Sequence, residues 1–182
     1  MYFDDLESFT TWNESKVVSH HLPGRHYHDA AELCGGAGGT GTLLIRRGWR
    51  KGPNFDLIVG FDLTKHDTRL HFLRCLETSN PMVLIISTPC TGMRGFSGLN
   101  RLKNHSTWVR SRRTSVPLAN LGGLAAVKQM DAGRHFIAEH PQGSDMWSMP
   151  IWRHIESLGV ARAIVHQCMA GLLGPKKRTP DQ

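Results

Sequence analysis

The stretch PMVLIISTPC, residues 81–90, carries the strongest structural signal in the chain. Between Pro81 and Pro89 lies an unbroken apolar run, VLII, with no polar alternation, and Met82–Ser87 therefore reads as a strand buried on both faces. Strands of that kind belong to parallel sheets covered by helices. Proline at each end stops the run, and the segment then enters a loop, residues 88–100, rich in Gly, Thr and Ser.

Working outward, short apolar strands alternate with longer helical stretches. Tyr27–Leu33 reads as a strand running into the glycine-rich segment Gly35–Gly41, and Thr42–Trp49 as the helix after it. A second strand is expected over Asp56–Asp62, followed by helix through Glu77. Beyond the 88–100 loop, helix is expected over Ser106–Asp131, interrupted near Pro117. Arg134–Glu139 reads as a fourth strand, His140–Asp145 as a loop, Met146–Leu158 as helix and Ala161–His166 as a fifth strand. Repeated strand–helix order predicts an α/β fold, a Rossmann-like doubly wound, mostly parallel sheet. Residues 1–26 read as a lead-in segment, 27–173 as the core and 174–182 as a basic polar tail.

The 182 residues suit one domain, and 40% hydrophobic with 20% charged residues is ordinary for a globular protein. No apolar run approaches the roughly 20 residues that span a bilayer. The acidic, polar start MYFDDLESFTTWNESK does not read as a secretory signal, so a soluble intracellular protein with no membrane partner is expected. Cys34, Cys75, Cys90 and Cys168 form no C-x-x-C pair and do not resemble a disulfide framework. His20, His21, His26 and His28 crowd together, but no cysteine or carboxylate spacing completes a tetrahedral metal set. The formal charge of +7 is clustered. Arg94, Arg101, Lys103, Arg110, Arg112 and Arg113 make a basic stretch suited to phosphate contacts or to a solvated helix face.

In open α/β sheets, ligands sit at the carboxyl ends of the strands. Four segments are placed there. ELCGGAGG, residues 32–39, offers glycines for a tight turn and close ligand approach. Asp62, ending the expected second strand, can accept from both hydroxyls of a ribose or cap the following helix. Cys90, after the buried VLII run and with Arg94 four residues on, is a candidate nucleophile or an inert thiol. Glu139, in FIAEHP, brings a carboxyl group to the same sheet edge, expected to be partly buried and able to hold a proton, or else a surface acid pairing with arginine. Trp108, among the basic residues, is a candidate for stacking on a base. Trp147 and Trp152 read as helix packing.

The order of these four segments resembles the motif order of cytosine 5-carbon methyltransferases. That family has an acid-leucine-aromatic-x-G-x-G-G loop, an acid at the second strand, a Pro-Cys nucleophile loop and a Glu-Asn-Val strand end. PCTGMRGFSGLNR and EHPQGSDMWSMPIW are also similar to methyltransferase-like segments of retroelement polyproteins, and the match spans roughly residues 28–170. The resemblance implies the fold of S-adenosylmethionine-dependent methyltransferases. Glu32, Leu33, Cys34, Gly35, Gly36, Gly38, Asp62 and Pro89 would line the S-adenosylmethionine pocket. Cys90 would attack the 6-carbon of cytosine, and Glu139 would hydrogen-bond the ring nitrogen. The implied partner is nucleic acid, DNA ahead of RNA, with the target base flipped out of any duplex. Departures are Cys34 in place of the aromatic residue, His140-Pro141 in place of Asn-Val, extra residues before Phe96-Ser97, and Met169 and Gly171 in the places of two arginines. They motivate the alternative of a catalytically inactive, nucleic-acid-binding module of a larger polyprotein.

Overall fold

The computed structural model describes residues 28–93 and 101–165. The expectations for the lead-in, Tyr27, Arg94, Phe96-Ser97, Cys168 and the tail lie outside them.

Pro81–Ile86 forms a strand as the VLII run predicts, and it is central. We number the strands β1 (His28–Leu33), β2 (Lys51–Phe55), β3 (Pro81–Ile86) and β4 (His135–Ala138), and the helices α1 (Gly39–Ile45), α2 (His66–Ser79), α3 (His105–Asp131) and α4 (Pro150–Ser157). The four strands form one all-parallel sheet in the order β2-β1-β3-β4. This is an α/β fold.

Register and side-chain alternation divide the sheet into two faces. Ala31 pairs with Leu84, which pairs with Phe136, while Leu33 pairs with Phe55 and with Ile86, which pairs with Ala138. Those residues share one face and pack in a single core with Phe72 and Leu76 of α2, Leu118, Leu121 and Ala125 of α3, and Trp152 and Ile155 of α4. Burying each large aliphatic or aromatic side chain is worth about 1.5–3 kcal/mol. The opposite face carries Glu32, Asn54, Ile85 and Ile137. There α1 covers the β1–β2 side, whereas Ile137 on β4 is 60% exposed.

Two strand expectations are corrected. The second strand is Lys51–Phe55, not Asp56–Asp62. Leu57–Val59 form a 3-10 turn whose cap is Asp56, the carboxylate accepting from the Ile58 N–H at 2.9 Å. Gly60, with φ +89°, reverses the chain, and Phe61 N–H returns to the Asp56 carbonyl. Leu57, Ile58 and Val59 therefore stand outside the core, each at least half exposed. Pro53 lies within β2, which is tolerated because β2 is an edge strand. Residues 161–165, expected to start a fifth strand, adopt no regular structure.

Helix α3 is also continuous through Pro117, where an interruption was expected. The ring removes one hydrogen bond, the one to the carbonyl of Arg113, whose residue is exposed and open to water. Asn104 caps the helix, accepting from the Thr107 N–H. Farther along, Gly122 and Gly123 let α3 approach its neighbours closely. A Cβ on Gly122 would lie 3.0 Å from Ile86 Cγ2, and one on Gly123 only 2.6 Å from Ile151 Cγ2. Trp152 Nε1 spans the same contact, donating to the Ala119 carbonyl at 3.0 Å. At the opposite end of the sheet, buried Gln129 donates to the carbonyls of Pro81 and His135, pinning the starts of β3 and β4.

Gly123→Ala should therefore destabilise the protein by about 1–3 kcal/mol through overpacking, despite the gain of about 1 kcal/mol in helix propensity. Urea denaturation checks this; a stabilised variant would show that the α3–α4 contact is loose.

Candidate functional site

All four strands end at one level. Beyond the paired residues Leu33, Phe55, Ile86 and Ala138, the ladder continues one step. Cys34 N–H donates to Phe55 O at 2.9 Å, Ser87 N–H to Leu33 O at 3.0 Å, and Glu139 N–H to Ile86 O at 2.9 Å. The glycine-rich loop, the Pro89–Cys90 loop and Glu139 thus emerge along one sheet edge. Asp62 does not share it as a strand-end residue.

The glycine-rich loop is shaped largely by protein groups. Glu32 is 2% exposed, and its Oε1 accepts from the Gly41 N–H at 2.8 Å. Leu33 is fully buried in the core. A Cβ on Gly35 would lie 2.5 Å from the Glu32 carboxylate, and one on Gly38 would meet Lys51 Nζ at 2.8 Å. Gly36, at φ +59°, faces open space. Its N–H donates to Asp56 Oδ2 at 2.9 Å and its carbonyl accepts from Asn54 Nδ2 at 2.8 Å. Cys34 has a left-handed backbone, φ 57°. Burial, and then the charge of Asp56, push its thiol up to about 12.

The strand-end acid of β2 is Asp56. It is half-buried, beside the open side of Gly36, and its oxygens retain lone pairs beyond those given to Gly36 and Ile58. Asp62 lies six residues farther on. Its carboxylate accepts from Thr64 N–H and Oγ1, at 3.1 and 2.5 Å, and pairs with Lys65. The Thr64 hydrogen bonds hold its carboxyl below the usual carboxylate range. The local signal for Asp56 was the phrase NFD, an acid directly after an aromatic core residue.

Cys90 is exposed. Its carbonyl accepts from Met93 N–H, and the Met93 carbonyl accepts from Asp145 N–H, which ties the Cys90 loop to the segment after β4. Arg112 reinforces the tie. One guanidinium nitrogen donates to the Gly92 carbonyl at 3.2 Å and to Asp145 Oδ2 at 2.7 Å. Gly92 itself packs against α3, where a Cβ would meet Arg112 N at 2.7 Å. Glu139 is exposed, not partly buried as expected. The next residue, His140, is 8% exposed, and neither ring nitrogen has a hydrogen-bond partner. Glu139, His140, Trp147 and Arg162 contribute to a cavity of about 680 Å³ between residues 136–142 and 160–165.

Of the basic residues, Arg101, Lys103, Arg110 and Arg113 are exposed, whereas Arg112 is engaged internally. Arg94 lies outside the described residues. Trp108 is bracketed by cations, with the guanidinium carbons of Arg101 and Arg112 at 6.0 and 5.3 Å from its ring centroid, so part of its stacking surface is taken by the protein. Trp147 packs edge-on to Trp152, as helix packing predicts.

Comparison of the chain with protein-family models, curated proteins and solved structures finds no match. Among the described residues, no helix is long and apolar enough to cross a membrane.

Two cysteines on one sheet edge should react differently. At pH 8 a thiol with a pKa of about 12 is ionised to roughly one part in ten thousand. Brief iodoacetamide treatment of the native protein should label exposed Cys90 and leave Cys34 unmodified, as read by peptide mass spectrometry. Labelling of Cys34 at a comparable rate would show that the glycine-rich loop opens readily.

Proposed function

We propose that the protein is an S-adenosylmethionine-dependent nucleic-acid methyltransferase acting on the 5-carbon of cytosine, with DNA ahead of RNA as substrate. The observation that carries this reading is the common termination of β1, β2, β3 and β4, which lines up the glycine-rich loop, Asp56, Cys90 and Glu139 on one edge. The parallel sheet with α1 on one face and α2–α4 on the other agrees with the methyltransferase fold implied by the motif order.

The residues present fit the cofactor. Gly36 leaves open space above the loop, and Asp56 stands beside it with lone pairs for ribose hydroxyls. Pro89 shapes the adjoining loop. Asp56 thus takes the role the motif order assigned to Asp62. When bound, S-adenosylmethionine supplies an electrophilic methyl group. Cys90 would add its thiolate sulfur to the 6-carbon of cytosine, which raises electron density at the 5-carbon; once that carbon carries the methyl group, a water molecule takes its proton and the C6–S bond breaks to return the thiolate. Glu139 holds the ring nitrogen and its proton during the addition. Exposed Arg101, Lys103, Arg110 and Arg113 provide phosphate contacts.

The second reading, a nucleic-acid-binding module without catalysis, draws support from the glycine-rich loop. Lys51 and the Glu32 carboxylate occupy the space beside Gly38 and Gly41. The two readings part on chemistry, since only the first requires a covalent adduct at Cys90.

Calorimetric titration with S-adenosylmethionine tests the pocket. Asp56→Asn should weaken binding about 10- to 100-fold, the loss of one or two charged hydrogen bonds at about 1.5 kcal/mol each. Asp62→Asn should leave affinity within a factor of about three. An oligonucleotide containing 5-fluorocytosine, with cofactor, should trap Cys90 covalently. Cofactor binding without trapping or methyl transfer to any DNA or RNA would overturn the enzymatic reading.

A further inference from the structure

Lys51 opens β2, yet its ammonium ends against the glycine-rich loop. Where Ala30 pairs with Lys51 and Glu32 with Asn54, β2 carries one residue more than β1. That bulge puts Lys51 and Asn54 on the face that carries Glu32. Gly52 permits it, since a Cβ there would lie 2.8 Å from the Ala30 carbonyl oxygen. The lysine side chain then runs along the loop. A Cβ on Gly41 would meet Lys51 Cε at 2.6 Å, and one on Gly38 would meet Nζ at 2.8 Å and Asn54 Nδ2 at 3.5 Å. Gly38 and Gly41 thus make room for this side chain. Lys51 is partly buried, and among the described residues its ammonium has no ion pair or hydrogen bond. The Glu32 carboxylate also packs against Gly41, but it accepts from the Gly41 N–H and does not pair with Lys51. A partly buried ammonium without a partner is costly unless an anion comes to meet it.

We propose that Lys51 holds the carboxylate at the amino-acid end of S-adenosylmethionine. The inference rests on the reading of the glycine-rich loop as the cofactor site. The sulfonium and the α-ammonium of that ligand are both cations, and the carboxylate is its one anion. A lysine ammonium at the loop repels the first two and attracts the third, so it favours binding only by meeting the carboxylate. The open space at Gly36 adjoins this point, because Asn54 Nδ2 donates to the Gly36 carbonyl and lies 3.5 Å from the Cβ position of Gly38. Asp56 reaches the same stretch of loop from the other end of β2, its Oδ2 accepting from the Gly36 N–H. The two ends of β2 thus divide the ligand, with Asp56 for the ribose and Lys51 for the amino-acid end. A lysine that only packed on Gly41 and offset the charge of Glu32 would affect every ligand of the loop alike.

The test is calorimetric titration of the full chain with S-adenosylmethionine and with its decarboxylated analogue, which lacks only the carboxylate. The wild type should bind S-adenosylmethionine about 10- to 100-fold more tightly, the worth of one charged hydrogen bond in a partly buried site. In Lys51→Met, which keeps the apolar length packed against Gly41, that preference should vanish. Affinity for S-adenosylmethionine then falls, while the analogue binds as well as before or better. Should the methionine variant fold poorly, Lys51→Gln gives the same comparison, and the wild-type measurement needs no variant. Equal affinity of the wild type for the two ligands, or a preference that survives the substitution, would overturn the role of Lys51 and leave the cofactor reading standing. An equal loss for both ligands would assign the lysine to the structure of the loop and likewise sink the proposal. Binding of neither ligand to the wild type would overturn the cofactor reading, and this inference with it.

Discussion

Everything at the candidate site depends on strand register. β3 is bonded on both sides, to β1 and to β4, and its pairing sets Leu33, Ile86 and Ala138 at one level. A slip of one residue on β3 would move Leu84 and Ile86 to the face shared with Glu32 and put Ile85 against the helices, so the core enforces the register strongly. The loops beyond the strands inherit that precision at no further cost. Once Ile86 is fixed, Cys90 is four residues away, and Glu139 N–H bonds the Ile86 carbonyl itself. Side chains from distant parts of the sequence are brought together by the apolar face of the sheet, not by attraction among themselves.

Close packing then fixes what register alone leaves free. Gly122 brings α3 against Ile86 and Thr88, at the root of the Cys90 loop, and Gly92 brings the loop itself against α3. Glycine in a helix costs about 1 kcal/mol, and here it permits contacts that a methyl group would block. Arg112 sits at this junction and joins α3, the Cys90 loop and Asp145. It is only partly exposed, so its bond to the Gly92 carbonyl carries more structural weight than a freely solvated surface pair would.

How much of this was legible in the sequence follows from where each signal is stored. β3 was readable because a central parallel strand must be apolar on both faces, and VLII states that locally. β2 was not. Its segment KGPNF is polar and contains proline, and it becomes a strand only through pairing with β1, a contact that no local pattern encodes. The neighbouring run LIV satisfied the pattern and was a decoy, because Asp56 closes it into an exposed turn. That misplaced strand is what puts Asp62 at a strand end in the sequence reading. Cys90 and Glu139 were placed correctly at strand ends, since each follows a strand that was itself found. Arg112 and His140 were misread or passed over for another reason. A run of arginines gives no sign of which one turns inward, and a histidine beside an acid gives no sign that it is buried.

The two cysteines of the sheet edge show how position decides chemistry. Cys34 follows β1, an interior strand, and lies in the tight turn into α1, where desolvation and the Asp56 charge disfavour its thiolate. Cys90 follows β3, equally interior, but as the fourth residue beyond the strand it is clear of the core and in solvent. Distance from the strand end is therefore the variable that separates a thiol used for packing from one available to react. The same variable separates Asp56 from Asp62. Asp56 is the first residue beyond its strand and keeps its contact with the glycine-rich loop, whereas Asp62, six residues later, spends its carboxylate on Thr64 and Lys65. The loop lengths after β3 and β2 thus leave one side chain in solvent and hold the other against the glycine-rich loop.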